Sequence, residues 1–143
     1  MINLSPYVMV VVASLVISQL LKYLLLLGRR RTFDPVRQIY ASGSMPSTHG
    51  TAVVSMLTVV GLKEGTDSGL FGLMLLIAVI VMYDTVMLRR SVGDQGRAMQ
   101  ELIQSIKSAV ALPHSAKGHT PVELLIGALL GFLIGIVVFI ATT

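Results

Sequence analysis

Apolar positions along this chain fall into four runs, three of them long. Tyr7–Leu27 is 21 residues with one charge, Lys22, near its end. Gly69–Leu88 also carries one charge, Asp84, towards its end, and Pro121–Ala141 carries Glu123 in its first turn. At 1.5 Å per residue each would form a helix about 30 Å long, the thickness of a hydrocarbon core. These three predict membrane-spanning helices. The fourth run, His49–Leu62, is shorter and holds Thr51, Ser55 and Thr58. A buried core helix reads the same way, but the charge pattern below needs the chain to cross back between Leu27 and Gly69, so this run too is read as spanning. The glycines in residues 63–69 mark a short connection to the next helix.

A different pattern occupies Asp94–Leu112. Met99, Leu102, Ile103, Ile106 and Val110 recur at helical spacing, with Arg97, Gln100, Glu101, Gln104 and Lys107 between them. That spacing predicts an amphipathic helix at the membrane interface or packed across the bundle there, ended by Pro113. The fold class that results is all-α: a polytopic membrane bundle of about four transmembrane helices with one cytoplasmic interfacial helix, residues 1–143 forming a single domain. The leading residues lack a basic n-region and the first apolar run is too long for an h-region, so it is expected to remain as a membrane helix.

Composition agrees. Of 143 residues 54% are hydrophobic and only 13% charged, against roughly 25% charged in soluble domains, and the mean hydropathy is +0.82. With no cysteine, disulfides, thiolate nucleophiles and iron–sulfur centres are excluded. The net charge of +4 accompanies four Tyr, four Phe and no Trp, which fits phosphate or lipid headgroups and gives no support to a nucleic-acid partner. Basic residues are unevenly placed. Arg29, Arg30, Arg31 and Arg37 lie between the first two runs, and Arg89, Arg90, Arg97, Lys107 and Lys117 between the last two, whereas the turn after the second run holds only Lys63. This bias puts both long connections in the cytoplasm and both termini outside.

That topology collects the ionisable residues at one face. Lys22, His49, Asp84, Arg89, Arg90, His119 and Glu123 all fall at or near the cytoplasmic ends of their helices. Ionisable groups at such positions are costly, and function is the default explanation. Cations that bind an oxyanion, beside imidazoles that transfer protons or attack phosphorus, suit a phosphate site. Each also has a plainer role. The lysine and arginines can snorkel and anchor helix ends. Thr120-Pro121-Val122-Glu123 reads as a capping box with proline at the first helical position, and Ser47 or Thr48 can cap the second helix. Two histidines with Asp84 or Glu123 also leave a zinc site open as an alternative, although no HExxH or cysteine pair accompanies them.

Three blocks, ASGSMPSTHG (41–50), YDTVMLRRSVGDQG (83–96) and GHTPVELLIGALLG (118–131), in this order and membrane setting, resemble the small membrane proteins related to acid phosphatases and vanadium-dependent haloperoxidases, a divergent branch of the type 2 phosphatidic acid phosphatase superfamily. The resemblance runs from about Gln19 to Gly131. The superfamily's first motif, a lysine, six residues and an arginine, corresponds to Lys22 and Arg29, with Arg30 where proline usually follows. Its second, Pro-Ser-x-His, corresponds to Pro46-Ser47-Thr48-His49, with threonine where glycine is typical. The third ends in a histidine, three residues and an aspartate; His119 and Glu123 keep that spacing, while Leu112-Pro113 replaces the Ser-Arg pair upstream.

The resemblance implies a metal-independent, cofactor-free lipid phosphate monoester phosphatase. His119 would be the nucleophile, His49 the general acid, and Glu123, or else Asp84, the carboxylate orienting His119. Lys22, Arg29, Arg89, Arg90, Ser47 and Thr48 would hold the phosphate. Phosphatidylglycerophosphate is the first-choice substrate, phosphatidic acid and isoprenyl phosphates the alternatives; a non-enzymatic scaffold or phosphate-lipid binding protein is the rival class. Finally, Gly127, Gly131 and Gly135 form one smooth face, which is expected to pair two copies in a homodimer, with packing inside the chain as the alternative.

Overall fold

The computed structural model describes residues 5–28, 45–107, 110–112 and 120–143, without side chains at 26–28 and 89. Its helices are α1 (Pro6–Gly28), α2 (Thr48–Glu64), α3 (Gly69–Tyr83), α4 (Arg89–Ser105) and α5 (Pro121–Ala141), and a π-helical turn, Asp84–Leu88, joins α3 to α4 without a break. No strand occurs among the described residues. Three helical stretches are long and apolar enough to cross a membrane: Pro6–Leu25, Gly69–Ser105 and Pro121–Ala141. Their surfaces carry exposed Val16, Leu20, Leu24, Leu73, Leu76, Val79, Leu129 and Val137, apolar side chains that only hydrocarbon accommodates in such numbers. The chain is a membrane protein.

α2, at 17 residues, is shorter than these three and stands at the centre, touching α1, α3 and α5. Val10 of α1, Val59 of α2, and Ile134 and Val138 of α5 make the apolar core, surrounded by Tyr7, Ala13, Met56 and Leu130. The tightest seam runs between α2 and α5. A Cβ added at Gly127 would come within 2.7 Å of the Ser47 carbonyl oxygen, and one at Gly135 within 2.6 Å of Thr58 Cβ. At Gly131 it would run into the Thr51 carbonyl oxygen. The stripe expected to pair two copies is therefore covered by α2 of the same chain. Packing inside the chain, the alternative to a homodimer, is present along this stripe.

The contacts pair 127 with 47, 131 with 51 and 55, and 135 with 55 and 58, so α2 and α5 run parallel. At their far ends Lys63 Nζ donates to the Thr142 carbonyl oxygen at 2.8 Å and lies 5.6 Å from the Phe139 ring centroid, a cation at the negative end of α5. The Tyr7 hydroxyl donates to Glu64 Oε1, which sets α1 antiparallel to α2. A tight turn leads from α2 to α3: Gly65 takes φ 84°, where glycine is favoured, and the Ser68 hydroxyl caps α3 by accepting from Phe71 N–H at 3.1 Å.

The amphipathic segment differs from its expected bounds. Helical structure begins at Arg89 rather than Asp94 and stops at Ser105, well before Pro113. The Ser105 hydroxyl bonds back to the Leu102 carbonyl at 2.8 Å, and the Lys107 N–H closes on Gln104 O with Lys107 at φ 49°. This local bonding competes with further helix. Its upstream end is set by continuity with α3, because residues 84–88 contain neither proline nor glycine to interrupt the rod.

Candidate functional site

Parallel α2 and α5, with α1 and α3 antiparallel to α2, bring four ends together. The start of α2, the start of α5, the end of α1 and the end of α3 share one pole of the bundle, where the π turn also touches α5. Lys22, Ser47, Thr48, His49, Asp84, Arg90 and Glu123 therefore lie towards the same end. Arg29 and His119 fall outside the described residues, as does the side chain of Arg89.

Ser47 is the N-cap of α2. Its hydroxyl accepts from Gly50 N–H at 3.3 Å, and its carbonyl accepts both the Thr51 N–H and the Thr51 hydroxyl at 2.9 Å. It is wholly buried beneath Gly127. Thr48 opens the helix and is buried, with Oγ1 shielded and without a hydrogen-bond partner. His49, one position on, is exposed. Gly50 packs on Leu124, where a Cβ would come within 2.8 Å of Leu124 Cδ1. The PSTH block is thus clamped against the first two turns of α5.

At α5 the capping box is formed in full. Thr120 N–H donates to Glu123 Oε2 at 2.9 Å, and Glu123 N–H donates to Thr120 Oγ1 at 3.3 Å. Because Thr120 is the N-cap, His119 is the residue immediately before it. Glu123 is half-buried and has one carboxylate oxygen committed to the cap. Asp84 begins the π turn, half-buried, and Arg90 is exposed on the next turn. Among the described residues no group of three His, Asp or Glu side chains is placed to hold a metal ion.

By sequence Ser47 and Thr48 are equivalent, each able to cap the helix or to hold a phosphate. The structure separates them: Ser47 caps, and Thr48 retains an unpartnered hydroxyl. An apolar groove of about 380 Å³, lined by Val54, Leu57, Phe71, Phe132 and Ile136 among others, opens along the other half of α2 and includes none of the candidate residues.

The sequence matches the Divergent PAP2 family across residues 4–134. It is also 32% identical over 114 residues to the uncharacterized membrane protein YuiD of Bacillus subtilis (strain 168), an alignment covering 69% of this chain and 72% of that protein. No solved structure matches.

Proposed function

The chain belongs to the Divergent PAP2 family, a phosphatase-related group of membrane proteins within the PAP2-like superfamily, and from that premise we propose that it hydrolyses lipid phosphate monoesters through a phosphohistidine. The observation that carries this reading is the parallel seam of α2 on α5. It supports the convergence of the His49 and Glu123 helix starts, with the Lys22 and Asp84 helix ends at the same pole.

In the proposed reaction, His119 Nε2 attacks phosphorus in line, forming a P–N bond as the P–O bond to the lipid breaks. His49 passes its proton to the departing alkoxide. Glu123, held by its own cap, offers its second oxygen to the other nitrogen of His119 and supports the imidazolium; Asp84 is the alternative carboxylate. Lys22, Arg29, Arg89 and Arg90 balance charge on the nonbridging oxygens, together with Ser47 and Thr48. Water then attacks phosphorus, gives its proton to His49, and releases phosphate with free His119. No step calls on a metal.

The distribution of basic residues supports placing this site on the cytoplasmic face, with α2 as a fourth crossing and α4 along the interface. Phosphatidylglycerophosphate is the first substrate to test, then phosphatidic acid and isoprenyl phosphates. Leu112-Pro113 in place of the superfamily's Ser-Arg pair favours a second reading, a phosphate-lipid binding protein without turnover. The test is phosphate release from phosphatidylglycerophosphate by purified protein in lipid nanodiscs with EDTA present. Release supports the proposal, and no release from any of the three substrate classes would overturn it.

A further inference from the structure

The apolar groove on α2 lies on the half of the bundle away from the candidate residues, and its shape follows from one glycine. Phe71, in the first turns of α3, rests on α2 at Gly61, where a Cβ would come within 2.9 Å of the ring. The ring is drawn down onto α2 instead of reaching across to α5. The π turn at the other end of α3 touches α5, but here a cleft separates the start of α3 from Phe132 and Ile136. Val54 and Thr58 belong to its floor. The Thr58 hydroxyl donates to the Val54 carbonyl at 2.7 Å, so its hydrogen is spent within the helix. Leu62 and Phe132 are exposed at the rim, and the cleft opens sideways between lipid-facing surfaces.

The depth of the groove matches one leaflet. Phe132 stands near the middle of α5, and ten positions separate it from Thr142. That is about 15 Å of helix axis, half of a hydrocarbon core roughly 30 Å thick. Phe132, Ile136 and Phe139 recur at helical spacing along one stripe of α5. At the outer end of that stripe Lys63 Nζ lies 5.6 Å from the Phe139 ring centroid and donates to the Thr142 carbonyl oxygen at 2.8 Å. An ammonium group has three donors, and that bond uses one. The adjoining turn carries acids as well: Asp67 follows Thr66 at the mouth of the groove, and Glu64 accepts from Tyr7 of α1. A chain-shaped apolar cleft thus starts at mid-membrane and ends in a cation, with acids in the same turn.

We propose that this groove binds a phosphatidylethanolamine from the leaflet on the side of the α2–α3 turn, one acyl chain lying between α3 and α5 and the phosphodiester on Lys63. The volume of about 380 Å³ falls within the roughly 300–1,000 Å³ of small-molecule sites, and a hydrocarbon chain makes the dispersion contacts that such walls offer. Charge selects the headgroup. Phosphatidylethanolamine brings a phosphate for Lys63 and an ammonium for Asp67, whereas a headgroup that is only negative would meet Asp67 and Glu64 without compensation. Phosphatidylcholine has the same net charge but no N–H to donate to a carboxylate. The site stands at the opposite end of the bundle from the candidate residues, so it is independent of the phosphatase reading.

The chain has no tryptophan, so one introduced indole reports on its own surroundings. Phe132→Trp places it on the groove wall, and Val137→Trp places it at similar depth on an exposed face outside the groove. The full chain is reconstituted in brominated phosphatidylcholine, which quenches a tryptophan that it touches, and unbrominated phosphatidylethanolamine is then mixed in stepwise. Phe132→Trp is expected to recover half its fluorescence at a phosphatidylethanolamine fraction about threefold to fivefold lower than Val137→Trp does, the scale of one partly exposed ion pair. Unbrominated phosphatidylglycerol and phosphatidylcholine are expected to show no such preference. Adding Lys63→Gln to Phe132→Trp should return it to the control curve, and Lys63→Arg should keep the preference. Because Lys63 also holds the Thr142 carbonyl, the comparison of headgroups in Phe132→Trp alone decides the matter without any change at position 63. Coincident curves for the two reporters overturn the proposal, and so does a phosphatidylglycerol preference equal to that for phosphatidylethanolamine. A Phe132→Trp that brominated lipid fails to quench shows protein, such as a second copy, covering the groove, and overturns it as well.

Discussion

Gly131 of α5 lies against the backbone of Thr51 of α2 so closely that a single methyl group on it would meet the Thr51 carbonyl oxygen. The same register continues at Gly127 over Ser47 and Gly135 over Thr58. Without a hydrophobic driving force between helices in lipid, such close backbone approach is a main source of association. It is also what holds the PSTH block against the start of α5.

Gly131→Ala should therefore destabilise the bundle by about 1–3 kcal/mol, the usual cost of overpacking, and Gly131→Leu should separate α2 from α5. Because the seam lies within one chain, the loss of folded protein should come without any change in the crosslinked species seen across lipid dilutions. A wild-type dimer that Gly131→Leu converts to a folded monomer would show that the stripe binds a second copy instead.

The cap of α5 supplies a second prediction. Thr120→Ala removes the hydroxyl that accepts from Glu123 N–H, and should lower stability by about 1 kcal/mol. Glu123→Gln keeps an oxygen for Thr120 N–H but loses the negative charge. Under the proposed mechanism it should retain most of the stability and lose turnover by about 10²-fold or more. Full activity in Glu123→Gln would leave capping as its role and make Asp84 the carboxylate to test next.

Legibility varied with how local the signal was. Pro121–Ala141 emerged with its sequence-read bounds because Thr120, Pro121 and Glu123 mark its start within four residues. The α2 run was visible but came out one residue longer at its start and two at its end, since Ser47 rather than Thr48 is the cap and Gly65 is the stop. Periodicity showed that Gly127, Gly131 and Gly135 form a smooth face. It cannot say which helix covers that face, because this depends on packing across distant segments. The π turn had no sequence mark, since nothing in Asp84–Leu88 breaks a helix. The common pole of Lys22, His49, Asp84 and Glu123, among the described residues, was readable from charge placement, whereas the orphaned Thr48 hydroxyl depends on which carbonyls come within reach.

Topology is checked by cysteine labelling. Ser42→Cys, in the basic connection between the first two helices, should react only with reagent admitted to the cytoplasmic side. Thr66→Cys, exposed in the turn between α2 and α3, should react only from outside. Reversed labelling would move the shared pole to the other face of the membrane, and labelling of both from one side would show that α2 does not cross.

The two histidines separate by leaving group. If His119 forms the P–N bond, His119→Ala should abolish turnover on every monoester, since no other group replaces the nucleophile. His49 acts on the departing oxygen, so its loss should matter in proportion to that oxygen's basicity. His49→Ala should slow phosphoenzyme formation from a lipid alkyl phosphate by about 10²–10⁴-fold, the usual contribution of a general acid, and slow its formation from p-nitrophenyl phosphate far less, because nitrophenolate leaves without a proton. Rapid quench with ³²P-labelled substrate should trap an acid-labile phosphoenzyme in wild type and in His49→Ala, and none in His119→Ala. The exposed position of His49 at the first turn of α2 makes this a test of chemistry rather than of folding, since little packing is lost on its removal. Equal, mild losses in both variants on both esters would assign the histidines a structural role and leave the site as a binder of phosphate.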